Sequence, residues 1–277
     1  MSTLFTGISE LRSVSERGTL NDAALVAESG TISWIGPASE APAADEKVDL
    51  GGRAVLPGWV DSHTHMVFDG DRSAEFEARI SGGSYEAGGI AVTMDATRQA
   101  GTDRLDKLVA DRVAAGRRGG TTTFETKTGY GLNTESEVEA AKVASRHVDD
   151  VTFLGAHLVP PGADAEDYLD EVVGPMLEGV APYVQWIDVF CERGAFNEEQ
   201  SRRVLEAGKK LGLGLRVHGN QLGEGPGVAL AVELGAASVD HVNHLSDEDV
   251  ELLANSDTVA TMLPACDLST REPAAWW

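Results

Sequence analysis

From Ala54 onward, short apolar runs rich in β-branched residues alternate with longer stretches whose apolar positions recur every three or four residues. A period of two marks a strand and a period near 3.6 an amphipathic helix. The pattern predicts strands at Ala54–His63, Thr121–Lys127, Val151–His157, Trp186–Cys191, Leu215–His218, Ser238–His244 and Val259–Pro264. It predicts helices at Arg104–Arg118, Glu135–Val148, Ala165–Leu177, Glu198–Leu211, Gly227–Leu234 and Asp247–Ala254. Strands separated by helices of this length need crossover connections, and these build a parallel sheet. Seven strands in succession, with no Gly-x-Gly-x-x-Gly opening a helix, favour an α/β (β/α)8 TIM-like barrel over an open dinucleotide-binding sheet.

Residues 1–53 read differently. Thr3-Leu4-Phe5, Ala24–Ala27 and Thr31–Gly36 are short strand-like pieces, separated by turn signals at Gly30, Gly36-Pro37 and the Ala/Pro/Asp-rich stretch to Asp45. They are too few for a core of their own. The expected division is a small β-domain segment at 1–53 and a barrel segment at 54–277.

Chemically capable residues gather where the predicted strands end, the face on which barrel active sites are built. The first strand carries His63 and His65, the third ends at His157, the fifth at His218, and the sixth carries Asp240-His241 and His244. Side chains two apart on a strand face one way, so His63 and His65 could share one ion, and neutral imidazoles suit zinc, iron or nickel. Any one of these histidines could equally be a packed core residue; six of seven at strand ends argue for a site. Only His147 falls in a helical pattern. Tyr130, bracketed by Gly129 and Gly131, marks a tight loop that lets backbone approach a ligand. Gln221 follows His218 in the loop after the fifth strand.

Charge then excludes two classes of partner. Among 277 residues, 22 Lys and Arg face 45 Asp and Glu, and the resulting −23 repels nucleic acid and anionic membrane. No apolar run approaches the ~18 residues of a membrane span. Cys191 and Cys266 lie in strand-like runs and form no C-x-x-C, which fits a reducing compartment. With no leader pattern at the start, a cytoplasmic location is expected.

The stretch PGWVDSHTH resembles the amidohydrolase superfamily. The longer DSHTHMVFDGDR with EFEAR after it, and KTGYGL, FLGAH, DVFCERGAF, RVHGNQL and ELGAASVDH in order, resemble the imidazolonepropionase family from about residue 55 to 268. That resemblance implies a metal-dependent hydrolase whose barrel is accompanied by a small β-sandwich domain. It implies that His63, His65 and His218 hold one Zn2+ or Fe3+ ion, and that Arg72, Tyr130, His157 and Gln221 contact the substrate. His241, with Gln221, is implied in catalysis beside the metal-bound water. The implied reaction opens the cyclic amide of 4-imidazolone-5-propanoate to N-formimidoyl-L-glutamate, in histidine degradation. The expected partners are this small molecule and a second copy of the chain as a homodimer.

Trp186–Cys191 carries no lysine of the kind binuclear members carboxylate, so one metal ion is expected. The resembled family also has an eighth strand ending in an aspartate ligand. Here the sequence ends at Pro273-Ala274-Ala275-Trp276-Trp277, and Asp267 does not match that position. The chain as written is therefore expected to have little or no hydrolase activity and to be poorly stable, with unpaired edge strands and with Phe5, Ile32 and Trp34 uncovered. Two alternatives stay open: another mononuclear amidohydrolase of base-deaminase type, and an inactive remnant.

Overall fold

A computed structural model describes residues 1–73, 76–77 and 90–270. Residues 75, 78 and 79 of EFEAR, and the terminal Pro273–Trp277, lie outside these described residues. The chain divides into two compact units, Met1–Trp59 and Val60–Trp277.

The first unit is a four-stranded sheet of β1 (Ser2–Arg12), β2 (Thr19–Glu28), β3 (Thr31–Pro37) and β4 (Glu46–Val55), ordered β3-β2-β1-β4. β1 pairs antiparallel with β2 and parallel with β4. Its apolar residues form two small clusters, Leu4, Ala24 and Val26, and Ile8, Leu11 and Ala23. Trp34 packs against the first and Phe5 against the second, so of the three apolar residues expected to be uncovered only Ile32, 60% exposed, is so.

In the second unit, parallel strands alternate with helices in the manner the periodicity predicts. β5 (Trp59–Asp61), β6 (Thr121–Lys127), β7 (Asp150–Ala156), β8 (Trp186–Cys191), β9 (Gly214–Gly219), β10 (Ser238–His241) and β11 (Val259–Thr261) lie in sequence order in one sheet, β5 and β11 outermost. The sheet is a curled α/β half-barrel, as side-chain contacts between alternate strands require. Lys127 on β6 reaches both Asp188 on β8 and Asp240 on β10. In a flat sheet β6 and β10 would stand about 19 Å apart, at ~4.8 Å per strand.

The helices are α1 (Ile90–Ala100), α2 (Thr102–Arg118), α3 (Thr134–Ala144), α4 (Ala165–Glu171), α5 (Leu177–Val180), α6 (Glu198–Lys210), α7 (Gly227–Leu234), α8 (Asp247–Ala254) and α9 (Pro264–Thr270). A wide turn at Val172–Met176, containing Gly174 and Pro175, joins α4 to α5 and breaks the long helix that periodicity predicts there. α6 shows how sequence writes such an element. Asn197 and Gln200 close a capping box, Ser201, Val204, Leu205 and Gly208 form the buried face, and Lys209 and Lys210 occupy the last turn, where the helix dipole favours cations. Phe124, Phe153, Ile187, Val189, Val217 and Val239 supply the strand side of the core.

Three expectations are corrected. Ala54–His63 is not one strand: Ala54 and Val55 end β4, Leu56-Pro57-Gly58 interrupts, and only Trp59–Asp61 joins the large sheet. Proline lacks an N–H for the ladder and restricts the residue before it, which ends the pairing. His63 and His65 therefore follow a strand rather than lie in one. The seventh predicted strand stops at Thr261, because Pro264 opens α9, whose first turn loses nothing by a missing N–H. Cys266 consequently sits on a helix.

Gly208 gives a test of this packing. A Cβ built there would stand 2.3 Å from Ile187 Cγ2 and 2.9 Å from Ile187 Cβ, an atom fixed to the β8 backbone. Alanine normally gains ~1 kcal/mol over glycine inside a helix. Overpacking costs ~1–3 kcal/mol and is expected to win here, so Gly208→Ala should lower the urea unfolding midpoint; a raised midpoint would show that α6 can lift off β8.

Candidate active site

The residues His63, His65, Arg72, Tyr130, His157, His218, Gln221 and His241 all line one cavity of about 590 Å³ in the second unit. Phe76, Phe190, Met262 and Leu263 add apolar wall. The structure thus brings together every site residue expected from sequence, from six separate segments. It leaves out two histidines: His244 does not line the cavity, and His147 pairs with Asp106 at 3.0 Å.

The two histidines after β5 are positioned by the threonine between them. Thr64 donates its N–H to Glu125 Oε2 at 3.1 Å and its hydroxyl to Glu125 O at 2.6 Å, and its carbonyl accepts from Lys127 N at 2.9 Å. Stapled to β6 in this way, the segment presents both flanking imidazoles to the cavity. His218 arrives from β9, and ligand atoms of His63, His65 and His218 lie within 4.8 Å of one another. Nε2 of His65 and Nε2 of His218 are 3.4 Å apart.

Beneath these rings lies a layer of buried charge. His63 Nδ1 is 2.7 Å from Asp240 Oδ2, and His218 Nδ1 is 3.0 Å from Asp188 Oδ2, though not aligned as a hydrogen bond. Lys127, fully buried, places Nζ 3.0 Å from Asp188 Oδ2, 3.1 Å from Glu125 Oε1 and 3.6 Å from Asp240 Oδ2. Glu125 Oε1 further accepts from Thr152 Oγ1 at 2.5 Å and faces Arg216 Nη1 at 3.4 Å.

Burial and these neighbours set the protonation states. Burial, and then Lys127, lower the pKa of His63; burial, and then the other imidazoles, hold His65 and His241 well below the usual histidine value. Burial and His218 bring His157 down to about 4. Burial opposes ionisation of Asp188 and Asp240, yet His218 and Lys127 for the first, and His63 and Lys127 for the second, keep both carboxyls below their ordinary range. Burial likewise opposes the Lys127 charge, and the three carboxylates overcome it. His63, His65, His157 and His241 therefore present neutral imidazoles, backed by ionised carboxylates, the donor set that a borderline cation such as zinc prefers. Two unprotonated Nε2 atoms at 3.4 Å would repel each other, and a shared cation relieves that. The residues fit a metal ion.

The opposite wall is built by a glycine-rich loop around one carboxylate. Glu137, fully buried on α3, accepts from the N–H groups of Gly129, Gly131 and Leu132 at 2.8, 2.7 and 2.9 Å. Gly129 has φ 104°, and a Cβ there would lie 2.5 Å from Leu154 O, so only glycine fits. Its carbonyl accepts from His157 Nδ1 at 2.9 Å. Tyr130 then stands edge-on to His65 and His157, with ring centres 5.8 and 5.4 Å away. Glu192 similarly takes the N–H groups of Gln221 and Leu222 at 2.6 and 3.1 Å.

His241 closes the constellation, its ring centre 5.3 Å from that of His63 and 5.2 Å from that of His218. Its Nδ1 is buried without a hydrogen-bond partner. His241 and Val242 both have positive φ, at 80° and 48°. Such strain in non-glycine residues collects at functional sites, and here it turns the chain sharply at the end of β10.

Sequence reading passed over Thr64, Glu125, Lys127, Glu137 and Asp188 as chemistry. For Glu125, Lys127 and Asp188 the signal was present: a charged residue inside an apolar strand, as in FETK or WIDVF, must find a buried partner. Glu137 carries the sharpest test. Glu137→Gln offers the three loop N–H groups one oxygen in place of two, and each stranded donor costs ~1–3 kcal/mol. Stability by urea titration should fall by about that much while bound zinc is unchanged. Unaltered stability would show that the loop holds itself.

Among comparisons with known proteins, no family model matches the chain. A computed-fold likeness links it to a triazine hydrolase variant (TM-score 0.71, 16% identity, 97% of this chain and 66% of that one). It is also like guanine deaminase from C. acetobutylicum (TM-score 0.65, 13% identity, 99% and 70%). At such identities these show the fold alone. The sequence goes further. Imidazolonepropionase from Arthrobacter sp. (strain FB24) is 64% identical over 286 residues, covering 99% of this chain and 72% of that protein. Imidazolonepropionase from Saccharopolyspora erythraea is 64% identical over 273 residues, covering 98% and 70%. An identity of this size along nearly the whole chain, over a cavity holding every residue that the motifs singled out, places the chain in the imidazolonepropionase family.

Proposed function

We propose that the chain hydrolyses the ring amide of 4-imidazolone-5-propanoate, giving N-formimidoyl-L-glutamate, a step of histidine degradation. The observation that carries this reading is the single cavity in which three clustered imidazoles face Arg72, Tyr130 and His157. In it His63, His65 and His218 hold one zinc or ferric ion. A bound ion of this kind supplies Lewis acidity, acidifying a water and polarising a carbonyl.

The chain's own residues do the rest. Arg72 offers a guanidinium to the propionate, a contact that a planar fork makes with a carboxylate in two hydrogen bonds. A local cation is needed, because a net charge of −23 repels an anionic substrate. Tyr130 and His157 flank the ring, and Gln221 contacts it through its amide. His241, neutral and with an unpartnered Nδ1, accepts the proton of the attacking water and returns it to the leaving ring nitrogen. A base deaminase would have no use for Arg72. In this reading the small β-domain expected at 1–53 runs on through β4 to Val55, the barrel domain follows it, and the chain acts as a cytoplasmic homodimer.

The test is to load the purified chain with zinc, follow imidazolone propionate loss and formimidoylglutamate appearance, and measure substrate binding by thermal shift. Substrate loss matched by formimidoylglutamate supports the reading, and a zinc-loaded chain that shows no turnover sinks it. Two variants locate the chemistry. His65→Ala should lose most of the bound metal, and full retention would remove it from the ligand set. Arg72→Met forfeits a bidentate charged contact, typically ~2–5 kcal/mol, so kcat/KM or binding should fall at least about ten-fold with metal content unchanged.

A further inference from the structure

One fully buried charge among the described residues of the second unit belongs to none of these roles. Lys127 has no exposed surface, and its Nζ lies between Asp188 Oδ2 and Asp240 Oδ2, at 3.0 and 3.6 Å. Those are the oxygens that face His218 Nδ1 and His63 Nδ1. One ammonium thus stands behind two imidazoles on different segments, each reached through a different carboxylate.

We propose that Lys127 is a positioning residue for the metal centre, acting through Asp188 and Asp240 to fix the tautomer and orientation of His218 and His63. This rests on the metal reading above. The reasoning is electrostatic. Ligand oxygens of Asp188 and Asp240 approach within 4.8 Å of each other in a region closed to water. Two carboxylates that close cannot both stay ionised without a cation between them. With Lys127 present, Asp240 hydrogen-bonds His63 Nδ1 and Asp188 stands 3.0 Å from His218 Nδ1, and a negative oxygen at each Nδ1 favours the proton there and leaves Nε2 bare toward the cavity. With Lys127 removed, their mutual repulsion drives the two carboxylates apart and off the imidazole nitrogens they face. The ammonium also sits against two members, Asp188 and Asp240, of a second group, with His218, whose ligand atoms are close enough to bind a cation. In this way a lysine carries part of the positive charge of the centre and keeps the neighbouring position closed to metal.

The experiment uses the full chain, with zinc affinity read against a competing chelator and imidazole tautomers read by long-range 1H–15N spectra of the metal-free protein. Lys127→Met should weaken zinc binding about 10–100-fold, the range typical of lost outer partners of metal ligands. In the same variant His63 and His218 should lose their preference for the Nδ1–H form. Lys127→Arg, which keeps the charge, should recover most of both. A folded Lys127→Met chain with wild-type affinity and tautomers overturns the proposal. Should that variant not fold, the wild-type chain still decides. His63 and His218 must both be Nδ1–H tautomers there, and Lys127 must remain an ammonium at pH 10; either one found otherwise overturns it. A wild-type chain that binds no zinc refutes the metal reading instead, and the spectra still report on Lys127.

Discussion

A charge that cannot reach water must be surrounded by opposite charge, and that constraint shapes the interior of the second unit. Lys127 on β6, Asp188 on β8 and Asp240 on β10 come from alternate strands, the arrangement by which one layer of side chains fills a barrel. Glu125, Thr152 and Arg216 make a neighbouring set from β6, β7 and β9. These contacts exist only if the sheet curls, so the polar layers and the curvature imply each other. Apolar packing between sheet and helices supplies the bulk of stability; the charged layers specify which strand stands opposite which.

The same layer gives the cavity its chemistry. Carboxylates below and neutral imidazoles above form an electrostatic gradient aimed at the open end of the strands. The strained turn at His241 and Val242 brings one more imidazole over the top, with a nitrogen that no protein group satisfies. Tyr130, Phe190 and Phe76 add aromatic wall to the same cavity.

Much of this was legible beforehand, and the exceptions have physical causes. Thr121–Lys127 and Trp186–Cys191 coincide with β6 and β8, because runs of β-branched and aromatic residues flanked by turns have few other options. The strand at Ala54–His63 misled because its apolar run continues across Pro57-Gly58, where the chain leaves one sheet for another. The helix at Ile90–Ala100 went unread. The cavity residues were found because histidine is rare and its spacing conspicuous. Lys127, Asp188 and Glu137 were missed for the opposite reason: lysine and acids are common, and what distinguishes these three is burial, which sequence shows only indirectly. For Lys127 and Asp188, charged letters inside apolar strands were the available clue; Glu137, on α3, carried no such mark.

The Glu137 clamp has a consequence for how the cavity meets a ligand. A glycine-rich loop would ordinarily be among the most mobile parts of a fold, since glycine has the most backbone freedom to lose. Here the carboxylate ties the amides of Gly129, Gly131 and Leu132, and Arg98 holds the carbonyls of Gly131 and Leu132 at 2.6 and 2.9 Å. The ordering entropy of that loop is spent when the chain folds. A molecule entering against Tyr130 finds its wall already standing, so its affinity is not reduced by having to build it.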